Sequence, residues 1–261
     1  MMHGDKLRAE GIFACFSREE ERAFLFPGGA NPMLELLYVE RGSLHSITDG
    51  RKQLLQAGEL VVYGPNQWHM QYADVGQMPC CVRIFFDVRF DLQPLLSWKW
   101  TASEEMKQLL HQMLREQEEE LPFAAQMMGA LLNQLVLLLL RQAEQTGKEK
   151  CEVSAEQKMI HRTLVYICGH VWEDLSVPFV AHHVNMSPSY LTALFQKHLG
   201  ISPGEYIRRV KLQESKRLIR ENKLNFTQIA ELLQYSTVHQ FSRQFKEKFG
   251  MTPTEYAKLV R

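Results

Sequence analysis

Two stretches near the C-terminus place side chains that hydrogen-bond or carry charge at the spacing of one exposed helix face. The first holds hydroxyl, amide and ammonium groups, and the second adds an imidazole and a guanidinium. These groups are suited to DNA base edges and phosphates. The candidate DNA-contacting residues are Ser189, Tyr190, Thr192, Gln196 and Lys197 in the first stretch and His239, Gln240, Ser242, Arg243 and Lys246 in the second.

Both stretches belong to an internal repeat. MSPSYLTALFQKHLGISPGEY at residues 186–206 returns about fifty residues later as YSTVHQFSRQFKEKFGMTPTEY at residues 235–256. Each copy predicts a short helix, a tight turn and a second helix, because apolar residues recur at helical spacing on both sides of a turn. We therefore expect helix-turn-helix units at about 176–199 and 226–249.

The residues around the turns support this prediction. Ser187-Pro188 supplies an N-cap followed by proline at the first helical position. Asn185 tolerates the left-handed conformation that such a turn needs, whereas Gln234 in the second copy indicates strain or an altered turn. Small helical bundles also show this spacing, so the polar faces of the second helices carry the prediction of DNA binding.

A helix at about 204–221 is predicted to connect the two copies. Each copy also ends in a hydroxyl residue followed three positions later by glutamate, the pattern of a capping box. The two predicted boxes are Ser202 with Glu205 and Thr252 with Glu255.

On these residues, the segment of about 155–260 resembles the double helix-turn-helix domain of AraC/XylS-type transcription regulators. IAELLQYSTVHQFSRQFKEKFGMTPTEY is close to that family's signature, and YIRRVKLQESKRLI resembles its linker helix. The resemblance implies two recognition helices in successive major grooves, about 34 Å apart. Two features depart from the family: Asn185 and Gln234 replace its turn glycine, and Ala193 stands where the second copy has Arg243.

Charge is uneven along the chain. The formal net charge is zero, which by itself argues against a nucleic-acid partner. Residues 1–150, however, hold 15 Lys and Arg against 20 Asp and Glu, while residues 151–261 hold 15 against 10. This asymmetry indicates that the C-terminal half alone faces a polyanion.

Residues from 22 to about 90 alternate between strand-like runs and turns. Asp49-Gly50 between two such runs predicts a hairpin. The expected fold class is α+β, with an N-terminal antiparallel barrel, then helices, and an all-helical C-terminal domain. The expected divisions are a sensing barrel at 1–100, helices at 101–145, a linker at 146–157 and a DNA-binding domain at 158–261.

The stretch LELLYVERGSLHSITDGRKQLLQAGELVVYGPNQWH resembles the cupin-like sensor barrel of many regulators in that family, over about 70 residues. Metal-binding cupins carry a histidine pair just before a glutamate, and the residues before Glu35 contain no histidine. Glu35 and His69 alone fall short of the three or four ligands of a metal site. We predict no metal, no cofactor and no enzymatic activity, with a metal-dependent cupin enzyme as the remote alternative.

A barrel mouth with aromatic and a few polar side chains is a usual small-molecule site. The candidate ligand-binding residues are Phe24, Glu35, Tyr38, Trp68, His69 and Arg83. By analogy, such groups suit a sugar-like or other polar metabolite. Two alternatives stand beside this prediction: His69 bonds to backbone at a strand turn, or the barrel binds nothing and serves dimerisation or protein contacts.

Helical periodicity follows at about 103–117 and 123–145. The second segment is apolar on most sides but falls short of the roughly 20 apolar residues of a membrane span, and Asn133 and Gln134 interrupt it. The preferred interpretation is burial on several sides, between the barrel and either a neighbouring helix or a second subunit, with dimerisation favoured. A homodimer is therefore expected.

The N-terminus lacks the basic start and apolar core of a signal peptide, so a cytoplasmic location is expected. The five cysteines are expected to be reduced and mostly buried. They are Cys15, Cys80, Cys81, Cys151 and Cys168. Together these features predict a transcription regulator of double-stranded DNA, controlled by a small molecule, with RNA polymerase as a further conceivable partner.

Overall fold

A computed structural model describes residues 24–74, 76–87, 92–119, 122–146 and 154–260. The strands are β1 (Leu25–Gly29), β2 (Leu34–Arg41), β3 (Ser43–Thr48), β4 (Arg51–Gln56), β5 (Glu59–Tyr63), β6 (His69–Tyr72), β7 (Cys80–Phe86) and β8 (Lys99–Thr101). The helices are α1 (Glu104–Glu118), α2 (Ala124–Thr146), α3 (Ala155–Gly169), α4 (Val177–His183), α5 (Pro188–Leu199), α6 (Pro203–Glu221), α7 (Phe226–Leu232), α8 (Val238–Phe249) and α9 (Pro253–Val260).

The described residues divide into two compact units. The sheet unit contains β2 to β8 with α1 and α2, and the helical unit contains α3 to α9 with β1. Strands precede helices along the chain, which confirms the predicted α+β class. Strands β6 and β8 were not predicted, because runs of four and three residues are too short to show alternation.

β2 lies at the centre of the first sheet, whose strand order is β7-β2-β5-β8. It pairs antiparallel on both sides, with Leu36 opposite Val62 of β5 and Ile84 of β7. These three side chains are buried in one apolar cluster with residues of α1 and α2. Because alternate residues of a strand face opposite sides, Glu35 and Leu37 lie on the other face.

In the second sheet β3 lies between β6 and β4. Ser46 of β3 is opposite Gln71 of β6 in an antiparallel register. Asp49 and Gly50 join β3 to β4 with φ values of 50° and 81°. Positive φ at both central residues is the geometry of a type I′ turn, so the hairpin predicted from Asp49-Gly50 is confirmed.

Helix α2 packs along α1, and its buried side includes Leu132 and Leu135. The helix has 23 residues and, judged by length and composition alone, could cross a bilayer. Of its most apolar 18-residue segment, however, 33% is buried within the protein. Met127 and Leu137 on the other side are 46% and 39% exposed. The helix therefore presents both a core face and an open apolar face.

Helix α6 is the centre of the helical unit and contacts α3, α5, α7 and α9. Its apolar side chains Ile207, Val210 and Leu218 are buried against these neighbours. Ala181 in α4 and Ala230 in α7 are also buried, and their small side chains let each helix cross its partner closely. The predicted connecting helix thus holds both helical pairs in one unit.

Strand β1 contributes to the helical unit through its backbone. The Gln213 amide donates to the Leu25 carbonyl at 2.7 Å, and the Tyr206 hydroxyl donates to the Pro27 carbonyl. The Cys168 thiol donates to the same Pro27 oxygen at 3.2 Å. Burial raises the pKa of Cys168 to about 12, so this thiol stays protonated.

Cys80 and Cys81 are buried free thiols, and Cys168 is a partly buried one. Several features of the sequence analysis lie outside the described residues: Cys15, Cys151, the N-terminus considered for a signal peptide and most of the expected linker. Helix α2 ends at Thr146 and α3 begins at Ala155 on either side of that linker.

Candidate nucleic-acid interface

The turn between α4 and α5 follows from a single left-handed residue. Asn185 has a φ of 57°, and the Met186 amide closes the helix end by donating to the Ala181 carbonyl at 2.8 Å. The Ser187 hydroxyl then accepts from the Tyr190 amide and caps α5. Asn is among the few residues that adopt this backbone at low cost, which is why the turn forms here.

The second copy makes the same turn with a less suitable residue. Gln234 has a φ of 58°, and the Tyr235 amide donates to the Ala230 carbonyl at 2.9 Å. The turn is therefore not altered, and the strain expected from Gln234 remains in the backbone. Thr237 caps α8 as Ser187 caps α5, and Ser236 just before it has no counterpart in the first copy.

Each recognition helix ends at a left-handed glycine, Gly200 with a φ of 70° and Gly250 with 74°. Thr252 and Glu255 form the predicted reciprocal capping box, since each backbone amide donates to the other side chain. The capping box predicted for Ser202 and Glu205 is wrong for one of its two hydrogen bonds, the one from the Ser202 amide to the Glu205 side chain.

Ser202 accepts from the Glu205 amide, but the Glu205 carboxylate binds two arginines, each at 2.7 Å. Those partners, Arg208 and Arg209, lie three and four residues along α6. This spacing brings side chains together on one helix face, so both guanidinium groups compete successfully for the carboxylate.

All ten candidate DNA-contacting residues lie on α5 or α8. Gln240 and Ser242 are partly exposed and the other eight are exposed. On α5, the Thr192 hydroxyl donates to the Pro188 carbonyl at 2.8 Å, and the Lys197 ammonium lies 2.6 Å from a carboxylate oxygen of Glu156. These side chains are held by neighbours within the unit, which the sequence pattern alone did not show.

On α8 the exposed face carries the stronger charge. The Arg243 side chain is 73% exposed and lies 3.8 Å from Glu247, beyond hydrogen-bond distance. His239 and Lys246 are exposed on the same helix. Gln240, in contrast, accepts from the Ser236 amide at 3.1 Å and so helps to cap the helix.

Four of the six predicted ligand-binding residues come together in the sheet unit. The Glu35 carboxylate is 3.1 Å from His69 Nε2 and 3.7 Å from Arg83 Nε. The Arg83 guanidinium lies over the Phe24 ring, 5.4 Å from its centre. Asn31, which the sequence did not point to, donates to Glu35 at 3.1 Å.

These groups are almost fully enclosed. Glu35 is 2% exposed and His69 is 1% exposed. Burial alone would raise the pKa of Glu35, but the hydrogen bond and charge of His69, the charge of Arg83 and the hydrogen bond from Asn31 together lower it. The cluster therefore keeps a carboxylate ionised inside the sheet unit.

His69 also has the backbone contact expected from the alternative interpretation. Its Nδ1 lies 3.0 Å from the Gln67 carbonyl, and its ring stacks on Tyr63 with 3.9 Å between centres. Gln71, two residues along β6, accepts from the Arg83 guanidinium at 2.8 Å. Alternation along β6 would have placed Gln71 beside His69, had that short strand been recognised.

Tyr38 does not join this cluster. It belongs to the apolar cluster on the opposite face of β2 from Glu35, so the structure does not bring it together with the other candidates. Three positions along a strand separate the two residues, and an odd separation places side chains on opposite faces. Trp68 lies in the loop before β6 and is partly exposed.

A helix-turn-helix domain model matches residues 180–259. YtdP, an uncharacterized HTH-type transcriptional regulator of Bacillus subtilis (strain 168), is 31% identical over 117 residues, which are 44% of this chain and 15% of that protein. YobQ, another uncharacterized HTH-type transcriptional regulator of that organism, is 27% identical over 231 residues, 87% of this chain and 86% of YobQ.

A solved structure, the C-terminal domain of AraT, a response regulator from Geobacillus stearothermophilus, is 31% identical and covers 41% of this chain and 88% of that domain, with a TM-score of 0.39. Residues 180–259 thus form a helix-turn-helix domain of the AraC type, and the curated relatives are HTH-type transcriptional regulators. The matched segment includes both α5 and α8. The chain spans only 15% of the length of YtdP and most of the length of YobQ.

Proposed function

We propose that this protein is an AraC/XylS-type, sequence-specific regulator that binds double-stranded DNA through α5 and α8. The observation that supports this function most is that two helices, each preceded by the same left-handed turn, are held by one connecting helix. One recognition helix covers only a few base pairs, and two on one connector read two turns of the major groove. The proposed contact residues are those predicted from the sequence, of which Thr192, Lys197 and Gln240 also bond within the protein.

Arg243 is the residue we assign to base recognition. Its guanidinium is exposed and matches the two acceptors that guanine presents in the major groove. The equivalent position of α5 is Ala193, so the two helices do not read bases equally. Phosphate contacts from Lys246 would position the protein without selecting a sequence.

The test is a binding titration with a duplex selected by the protein from random DNA. Arg243→Ala should weaken binding to the selected site by about 1–3 kcal/mol, and binding to random DNA much less. Lys246→Ala is the matched control, because loss of a phosphate contact weakens both DNAs equally. Equal losses for Arg243→Ala on both DNAs would remove the base-reading assignment, and an intact protein that selects no DNA would contradict the function.

The buried cluster of Glu35, His69, Arg83 and Phe24 is our candidate for an effector site. Aromatic and charged groups together suit a polar, sugar-like metabolite. An effector would act by binding one arrangement of the protein more tightly than another. A thermal-shift screen of metabolites tests this proposal, because a ligand that binds only the folded state raises the melting temperature. A compound that raises the melting temperature of wild type and Glu35→Gln equally does not bind at this cluster. The alternative of a ligand-free sheet unit, used for dimer or protein contacts, predicts no such compound.

We further propose a cytoplasmic homodimer formed by the open face of α2. Its exposed residues follow the helix as Phe123, Met127, Ala130, Gln134, Leu137 and Arg141. In an antiparallel pair centred near position 132, Met127 would meet Leu137 of the second copy and Phe123 would meet Arg141. This self-complementary order, with small Ala130 near the centre, supports a two-fold contact. RNA polymerase remains a conceivable further partner of such a regulator.

A further inference from the structure

Helix α5 has a single lysine or arginine, Lys197. Its ammonium lies 2.6 Å from the Glu156 carboxylate, and the imidazole Nε2 of His198 lies 3.4 Å from the same oxygen. Glu156 is 41 residues away in the sequence, in the first turn of α3. The fixed positive charge of the first recognition helix is thus already paired within the protein.

Helix dipoles favour this pairing from both sides. Glu156 lies at the N-terminal end of α3, where a negative charge is stabilised, and Lys197 and His198 lie in the last turn of α5, where positive charges are stabilised. Hydrogen bonds from Lys197 and His198 lower the pKa of Glu156. The carboxylate is therefore ionised wherever the protein binds DNA at neutral pH.

The second copy has a different arrangement at the matching positions. Counting from the caps Ser187 and Thr237, Lys197 corresponds to Glu247. There Arg243 forms a longer ion pair with Glu247 of its own helix, with 3.8 Å between the charged atoms and both side chains more than two-thirds exposed. The two recognition helices therefore differ in the charge available to a phosphate as well as in base-reading side chains.

The geometry points to Glu156 as an intramolecular competitor of DNA phosphate for Lys197. Helix α5 then presents almost no net positive charge to DNA, and α8 provides most of the electrostatic affinity. This inference rests on the proposed DNA-binding function. An exposed ion pair is weak, but Glu156 is held within the protein, so it keeps Lys197 from neutralising a DNA phosphate in the wild type. The consequence is lower affinity for random DNA, because phosphate contacts supply most of non-specific binding.

The decisive variant of the full chain is Glu156→Gln, measured on random and selected duplexes across a salt series. We expect binding to tighten by about three- to tenfold at 50 mM salt on both DNAs, and the slope of log affinity against log salt to steepen by about 0.9. Glu214→Gln is the matched control, since it removes one negative charge from an ion pair with Arg217 elsewhere in the helical unit. It should leave the slope unchanged.

Lys197→Ala completes the comparison. In the wild-type background we expect less than about a twofold loss, and in the Glu156→Gln background we expect it to cancel the whole gain. An unchanged slope in Glu156→Gln, or a gain that survives Lys197→Ala, would overturn the inference.

A measurement without DNA separates this inference from the proposed function. The acetylation rate of Lys197, followed by mass spectrometry, should rise about threefold in Glu156→Gln because a paired ammonium reacts slowly, while the rate at Lys246 should not change. An equal rate at Lys197 in both proteins contradicts the ion pair. Failure of folded wild type to bind any duplex contradicts the regulator function instead.

Discussion

At the scale of single residues, the chemistry of this protein depends on which side chain each charged group pairs with. Glu35 shows this in the sheet unit, where a carboxylate that is 2% exposed is held by His69, Arg83 and Asn31. An uncompensated buried charge is costly, so these partners must be present together for the ionised form to persist.

Glu35→Gln should destabilise the sheet unit by about 2–4 kcal/mol at pH 7, because Arg83 and His69 lose the charge they face. The folded pKa of Glu35 is lowered, so its contribution is present above the unfolded pKa and is lost as pH falls through the folded value. The difference between wild type and variant should therefore shrink as the pH drops below about 4.5.

Urea unfolding followed by tryptophan fluorescence at pH 7, 5 and 4 measures this difference, since Trp68, Trp98 and Trp100 lie in the sheet unit. The control is Glu104→Gln, whose side chain is 83% exposed and should have little effect. A wild-type advantage of the same size at pH 7 and pH 4 would show that the charge of Glu35 is not what stabilises the fold.

At the scale of elements, short-range patterns predicted most helices of the C-terminal half and few details of the strands. The turns around Asn185 and Gln234, the capped starts of α5 and α8 and the glycine ends at Gly200 and Gly250 involve residues close in sequence. In contrast, β6 was missed because a run of four residues is too short to show alternation reliably.

Gln234→Gly should stabilise the helical unit by about 0.5–1 kcal/mol. The substitution removes the cost of a side chain at a φ of 58°, which is partly offset by the greater freedom of glycine in the unfolded chain. Asn185→Gly should give a smaller gain, because asparagine already tolerates that backbone. Thermal unfolding followed by circular dichroism measures both.

Glu231→Gly is the matched control three residues earlier, within the right-handed helix α7. Glycine in a helix interior costs about 0.5–1 kcal/mol, so this variant should be destabilised. If Gln234→Gly also lowered the melting temperature, the turn would not be strained at that residue.

At the scale of the whole molecule, α2 presents an apolar face that nothing in the described chain covers at Met127 and Leu137. Leu137→Glu should convert the proposed dimer to a monomer at micromolar concentrations, because it buries a carboxylate against the apolar Met127 side chain of the second copy on both sides of the two-fold contact. Sedimentation velocity measures the change. Gln112→Glu, on the exposed side of α1, is the control, and a wild-type chain that sediments as a monomer at tens of micromolar would contradict the dimer.

The repeat, its turns and its caps were determined by the sequence itself, because they depend on contacts within four or five residues and on backbone preferences of single side chains. The family followed from the same local pattern. Only the tertiary structure decided that Glu35, His69 and Arg83 meet, since strand pairing brings together residues up to 48 positions apart.

The same reason applies to the recognition helices. Lys197 and Arg243 look alike in the repeat as exposed cations, but folding places Glu156 of α3 2.6 Å from Lys197, whereas Arg243 has Glu247 of its own helix at 3.8 Å. A helix packed 41 residues away in sequence sets that difference, and no spacing within the repeat encodes it.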